Sequence, residues 1–302
     1  MGGASPPRGR DELNRIIDLR HSPPSDHAVT HGTTGSGRSV QQSIDPATIA
    51  FVSCVNDETQ YGICLQYINA LQIPSGHTVE KIAVLGATSM AEGYQRAMEA
   101  STALYKIYLH QDVYLVHRGL LFELLHLFKT YPRLGMVGVV GPTRLNSRGR
   151  WVKNLRHCHG RLWEYYRPSG LPASLFIKHR LLHFGRFRSF VGDYLAAVGV
   201  DGVFMATQYD VPWMNPLGGF ELYEHVQAAE FIKSGLEVGI ARQEAIWCLH
   251  WGPLHERTFE QRERRDIAIS SRAAAFQQLY PEFIGVPARK LYEQHRGVAT
   301  GR

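Results

Sequence analysis

Ile49-Ala50-Phe51-Val52-Ser53-Cys54-Val55-Asn56-Asp57 is an apolar run that stops on two hydrogen-bonding side chains. Its length suits a buried parallel strand, and its Asn-Asp ending suits the cap of a following helix. Tyr61, Cys64, Leu65, Ile68 and Leu71 then recur at three- and four-residue steps, which predicts an amphipathic helix closed by Pro74 and Gly76. Val79 to Leu85 reads as a second strand. Ser89 to about Ala103 reads as a second helix, with Met90, Tyr94, Ala97 and Met98 on one face. Tyr105 to Leu109 is a third strand with His110-Gln111-Asp112 at its carboxyl end. Leu120 to Lys129 is a third helix, and Leu134 to Val140 a fourth strand. This alternation predicts a doubly wound α/β sheet. Such sheets take ligands in the crevice beyond the carboxyl ends of their strands, so Asn56, Asp57 and Asp112 are expected at a site.

The pattern loosens outward from this block. Tyr194 to Ala206 reads as a strand carrying Asp201-Gly202, and Leu222 to Lys233 as a helix with Gly235 as its stop. Leu236 to Ile240 and Ala245 to Leu249 read as short strands, and Phe259 to Gln278 as a charged, peripheral helix. Residues 1–47 hold Pro6, Pro7, Pro23 and Pro24 among many small polar residues and read as a disordered tail. Ile16, Ile17 and Leu19 suggest a helical turn or two, with nothing following to bury them. The expected organisation is a tail at 1–47, a domain at 48–282 and a C-terminal extension at 283–302. The domain divides into halves at 48–143 and 144–282.

The 302 residues are 44% hydrophobic and 20% charged. These ordinary values exclude wholesale disorder, collagen and a disulfide mini-scaffold. No apolar run reaches the roughly 18 residues of a membrane span, and the first residues show no export signal. With four cysteines, the expectation is a cytoplasmic protein with free thiols. The net charge of +6 is unevenly spread. Residues 144–190 carry eleven Lys and Arg against the single acid Glu164, a net +10 that leaves −4 for the rest. Within 172–190, Leu and Phe interleave with Lys178, Arg180, Arg186 and Arg188. Two readings follow: peripheral contact with an anionic membrane surface, which would suit a lipid-linked or anionic acceptor, or a lid packed on the domain. No nucleic-acid motif accompanies these residues, so no nucleic-acid partner is expected.

Several chemistries are missing from the sequence. It has no phosphate-binding P-loop, no nucleophile elbow and no paired C-x-x-C. Gly135, Gly138 and Gly141 lie inside a strand, where they point to close packing and not to a dinucleotide fingerprint. What remains is a carboxylate, Asp112, at the end of the third strand.

Five stretches in order carry a resemblance. They are Ile49 to Asp57, Ala87 to Met90, Tyr105 to Val113, Val200 to Trp213 and Trp247 to His250. Together they resemble the family 2-type glycosyltransferases of the StrF-like group, named for streptomycin biosynthesis. The similarity runs from about 48 to 282. It implies a GT-A fold, a nucleoside-diphosphate sugar as donor and a divalent metal, Mg2+ or Mn2+, as cofactor. It implies that Asp112 holds the metal where the family usually has an Asp-x-Asp motif; here that place reads His110-Gln111-Asp112. It puts His250 at a histidine ligand position, and an imidazole there favours Mn2+. Asn56, Asp57, Tyr61, Ser89, Met90 and Gln111 are implied contacts to the nucleotide. For an inverting transfer the group has a Tyr-Asp pair at a helix start, and this chain reads Tyr223-Glu224, making Glu224 the implied base. Glu221 and Asp201 are alternatives, and Asp201 is also expected under the donor sugar. Trp213 is either a sugar platform or a packed core residue. Two other functions fit parts of the pattern. A catalytically weakened nucleotide-sugar-binding protein fits the lone carboxylate and the Glu-for-Asp departure. A sugar nucleotidyltransferase fits the scaffold but lacks its Gly-rich basic loop after the first strand.

Overall fold

The computed structural model describes residues 14–20, 43–149, 157–166, 178–184, 192–252 and 259–297. Asp45–Val55 (β2) is the buried strand expected, lying parallel between Thr78–Leu85 (β3) and Ala103–Leu109 (β4). Glu58–Asn69 (α1) starts at Asp57, whose carboxylate accepts from the Gln60 amide at 3.0 Å. Met90–Ala100 (α2) starts at Ser89, whose hydroxyl accepts from the Glu92 amide at 3.1 Å. The Glu92 carboxylate in turn accepts from the Thr88 amide at 2.7 Å, a reciprocal arrangement close to a capping box.

The chain then crosses to a second sheet. Val113–Leu115 (β5) leaves β4 through the tight turn at Gln111 and Asp112, and Leu120–Thr130 (α3) follows. The expected strand from Leu134 to Val140 is split: Leu134–Gly138 (β6) stays in the large sheet, and Val140–Pro142 (β7) belongs to the small one. Cys158–Tyr166 (β8) and Lys178–Phe184 (β9) pair antiparallel. The middle of the 172–190 stretch is therefore a strand paired to the small sheet, and its flanks lie outside the described residues. The expected strand from Tyr194 to Ala206 is also two, Tyr194–Ala196 (β10) and Phe204–Thr207 (β11). The reason is that Ala197, Val198, Val200 and Val203 are buried in the connection, so apolarity does not mark its ends.

Tyr223–Lys233 (α4), Glu237–Ala241 (β12), Cys248–His250 (β13), Phe259–Leu279 (α5) and Ala288–His295 (α6) complete the chain. With Asn14–Asp18 as β1, the large sheet has the order β1-β3-β2-β4-β11-β6-β12-β10 and is mixed, because β11 runs antiparallel to both β4 and β6. The small sheet runs β5-β13-β8-β7, with β9 also on β8. A large mixed sheet flanked by helices is the α/β class that the alternation predicted and the architecture that the resemblance implied.

One expectation at the chain's start is corrected. Asn14–Asp18 (β1) is not tail or helix: it pairs parallel to β3 along five residues, with Ile17 packed on the core. The C-terminal extension packs on the domain through α6. Leu291 is fully buried, and the Tyr292 hydroxyl accepts from the amides of Ala197 and Val238 and donates to the Ala197 carbonyl. It ties the last helix to β12 and the β10–β11 connection.

The sheets meet where backbone touches backbone. A methyl on Gly141 would lie 2.3 Å from the Gly199 carbonyl, and one on Gly160 would lie 2.1 Å from the Val139 carbonyl. Gly160 also has φ of +110°, a conformation that side chains resist. Gly160→Ala is expected to destabilise the fold by about 2–4 kcal/mol, since neither backbone can yield cheaply. Urea unfolding should show a lower midpoint at an unchanged m-value.

Candidate active site

The turn after β4 concentrates the polar chemistry. Leu109 pairs with Phe204 of β11, so the Asp201-Gly202-Val203 turn before β11 lies beside His110. The Val113 amide donates to the His110 carbonyl at 3.1 Å, which folds Gln111 and Asp112 into a tight turn. β13 delivers His250 by pairing with β5, His250 opposite Val113, and the Trp251 amide donates to the Asp112 carbonyl. The result joins residues from both sheets: His250 Nε2 stands 3.5 Å from Asp112 Oδ1, and the His110 and His250 rings are 5.8 Å apart. One donor atom from each of His110, Asp112 and His250 lies within 4.8 Å of the others. That spacing, with two imidazoles and a carboxylate, suits a divalent cation.

The charges are shaped by one another. Burial pushes His110 down, and the neighbouring His250 pushes it further, to about 4, so the ring is neutral at physiological pH. Burial also works against the charged form of His250, but the hydrogen bond and charge of Asp112 outweigh it and hold the imidazole above its ordinary value. Burial of Asp112 is likewise outweighed by His250, leaving that carboxyl below the usual range. Asp201 moves the other way. Desolvation raises it, against the Val203 amide that its Oδ1 accepts at 3.0 Å, and Glu224 adds to the rise.

These groups open into a cavity of about 650 Å3, well within the ~300–1,000 Å3 range of small-molecule sites. It lies at the carboxyl ends of β2, β3 and β4, where Cys54 to Asn56, Val84, Gly86, Ala87 and Met90 form one wall. Gln111, Asp112, Asp201 and Gly202 line another side, and the segment Phe220 to His225 at the start of α4 lines a third. α5 contributes Arg265 and Ile269, so it is a cavity wall and not merely the peripheral helix that its charges predicted. Arg265 grips Glu221 with two hydrogen bonds of 2.7 and 3.2 Å. Two turns on, Arg272 donates to the Leu217 and Gly218 carbonyls. The held loop is strained at Leu222, which has a φ of 63° without a glycine's freedom, whereas Gly218 and Gly219 adopt positive φ readily.

Seven of the residues named from sequence line this cavity: Asn56, Met90, Gln111, Asp112, Asp201, Glu221 and Glu224. His250 joins them through Asp112. Asp57, Tyr61 and Ser89 are not among the lining residues. Asp57 and Ser89 spend their side chains as helix caps, and Tyr61 packs on the core. Gln111 is itself a strut: its carbonyl accepts from the Asn56 and Asp57 amides at 2.8 and 2.9 Å, and its amide donates to Asn56 Oδ1. Trp213 is 5% exposed against Tyr94 and Tyr108, a packed residue and not a platform. Glu221, the alternative base, is occupied by Arg265. The sequence reading had not assigned roles to His110 as a ligand, to Tyr223, or to Arg265. Tyr223 OH lies 2.7 Å from His110 Nε2 and 3.3 Å from the Gly202 carbonyl, so it holds that imidazole in place. The position of His110, two residues before Asp112 at a strand end, was the available signal.

No curated protein matches the chain. Among solved structures, the mannosyltransferase PcManGT of Pyrobaculum calidifontis, in complex with GDP-Man and Mn2+, is similar over 84% of each chain, with 12% identity and a TM-score of 0.39. A family model described as glycosyltransferase-like matches residues 50–271. That span contains every residue that lines the cavity and both strands that carry the His-Asp-His group, and the chain belongs to this glycosyltransferase-like family.

Proposed function

We propose that the protein transfers a glycosyl group from a nucleoside-diphosphate sugar to an acceptor hydroxyl, with a divalent cation and with inversion at the anomeric carbon. The observation that carries the reading is one cavity holding two separate sets of groups. His110, Asp112 and His250 cluster at the end of β4, and Glu224 is supplied by the first turn of α4.

Charge supports the cation. Four carboxylates line the cavity, and Arg265 neutralises only Glu221 among them. Asp112 and Glu224 would repel a diphosphate in a desolvated site. His110, Asp112 and His250 would hold a divalent cation, Mn2+ fitting the imidazoles better than Mg2+. When bound it supplies neutralisation of the negative charge on the leaving diphosphate.

The chain's own residues do the remaining work. Asn56, Met90 and the strut Gln111 form the nucleotide wall, with Asp57, Tyr61 and Ser89 supporting it from behind. Glu224 accepts the proton of the acceptor hydroxyl as that oxygen attacks. Asp201, whose carboxyl burial raises above its ordinary value, hydrogen-bonds the sugar. A base on α4 that takes the acceptor proton as the acceptor attacks corresponds to a single displacement and hence to inversion. The StrF-like subgroup rests on the five stretches quoted above. Among the described residues no helix is long and apolar enough to cross a membrane.

The test is thermal unfolding with a panel of nucleoside diphosphates and their sugars, with and without Mn2+. A ligand that binds only native protein raises the melting temperature by mass action. One nucleotide is expected to raise it, and only when Mn2+ is present. No rise with any nucleotide overturns the reading.

A further inference from the structure

We propose that His225 is the positioning residue of Glu224, fixing the carboxylate that takes the acceptor proton; the proposal rests on the reading of Glu224 as the base. His225 Nδ1 lies 3.1 Å from Glu224 Oε1. Successive residues on a helix point in different directions and do not face each other. Both side chains must therefore turn toward one another, and the contact is not a by-product of the helix. The two differ in access. The Glu224 side chain is 12% exposed, whereas that of His225 is 1% exposed. The His225 ring sits edge-on to Phe276 of α5, and its Nε2 has no hydrogen-bond partner.

The unpartnered nitrogen decides the tautomer. With the proton on Nδ1, the ring donates to the carboxylate and leaves only an idle acceptor in apolar surroundings. With the proton on Nε2, a lone pair would face the carboxylate oxygen and an N–H donor would be stranded. Buried orphan donors are rarer than orphan acceptors, so the first arrangement is the stable one. It also argues against His225 as the base itself, because its one free lone pair, on Nε2, is buried.

The function of such a contact follows from the residue it holds. Glu has one more rotatable bond than the Asp that the family resemblance puts at this position. An unrestrained glutamate would sample several head positions, and a misplacement of about 1 Å costs about a hundredfold in rate. The Nδ1–H pins one oxygen and leaves the other for the proton. Arg265 holds Glu221 in the same way three residues earlier, so the two acids beside this helix start have different holders and do not compete for one.

Three variants separate positioning from packing. His225→Asn keeps a donor near the Nδ1 place, His225→Gln moves it to the Nε2 place, and His225→Phe keeps a ring with no donor. The readout is release of nucleoside diphosphate from the nucleotide sugar that shifts the wild-type melting temperature, with water as acceptor. His225→Phe and His225→Gln are expected to lower kcat by about 10–100-fold with KM for the donor within about twofold, and His225→Asn to recover to within about threefold of wild type. Equal loss in all three, or no loss in His225→Phe, overturns the proposal. Nitrogen-15 NMR of the imidazole gives a readout independent of turnover: the Nδ1–H tautomer is expected, and an Nε2–H tautomer overturns the proposal. If the tautomer is Nδ1–H but the wild type binds no nucleotide sugar, the parent reading has failed; His225 is then a structural partner only, and the proposal falls with it.

Discussion

Glu224→Gln is expected to lower the rate of glycosyl transfer by about a thousandfold while leaving nucleotide binding intact. The substitution keeps the size of the side chain and its contact with His225, but removes the negative charge that the proposed base needs to accept a proton. General base catalysis is worth about a hundred- to ten-thousandfold, and no other group in the cavity is placed to replace it. Glu221 is held by Arg265 at 2.7 and 3.2 Å, and Asp201 is raised by desolvation and already accepts from Val203. Steady-state kinetics should show the loss in kcat, and the thermal shift with nucleotide should be unchanged. Glu224→Asp separates the two functional readings. A fall in activity shows that the site is built around the longer acid; a rise would show a weakened enzyme restored by the shorter one.

Asp112→Asn should abolish cation-dependent nucleotide binding. Asp112 is the one acid in the cluster with His110 and His250, and it is also what holds His250 above its ordinary pKa. Mn2+ affinity, measured by calorimetry, should fall roughly a hundredfold or more, the upper end of what outer-shell changes alone achieve. In the wild type the same measurement should depend on pH with a definite sign. A proton on His250 competes with the cation, so affinity rises as pH increases through the raised value of His250 and levels off above it. His110, already neutral with its value near 4, releases no proton in that range. A pH-independent affinity between pH 6 and 8 would mean that His250 is not a ligand.

Much of this architecture was readable before any coordinates, because local patterns carry it. Ile49 to Val55 is apolar enough to need burial on both faces, and the three-four spacing after it admits only a helix. The failures have a common cause. β1 has five residues, one of them partly buried, and its partner lies more than sixty residues away. β10 and β11 merge in the sequence because the loop between them is itself core. α5 looks peripheral because its arginines look solvated, yet Arg265 and Arg272 turn inward to hold a loop. At the site, Asp112 was legible from its place at a strand end. His250 needed the family's pattern, since only the pairing of β13 with β5 puts it beside Asp112. His110, Tyr223 and Arg265 are set by tertiary contacts that no local rule reports.

The split of His110, Asp112 and His250 across the seam between the sheets has a mechanical meaning. An ion held there would act as a rivet, joining the end of β4 in the large sheet to β13 in the small one. Detaching the small sheet would then require releasing the ion, at a cost that grows with its concentration: about 2.7 kcal/mol at a hundred times the dissociation constant. Amide hydrogen exchange on Cys248–His250 and Val113–Leu115 should therefore slow with added Mn2+. The outer strand pair β1–β3, which the rivet does not join, should exchange at its former rate.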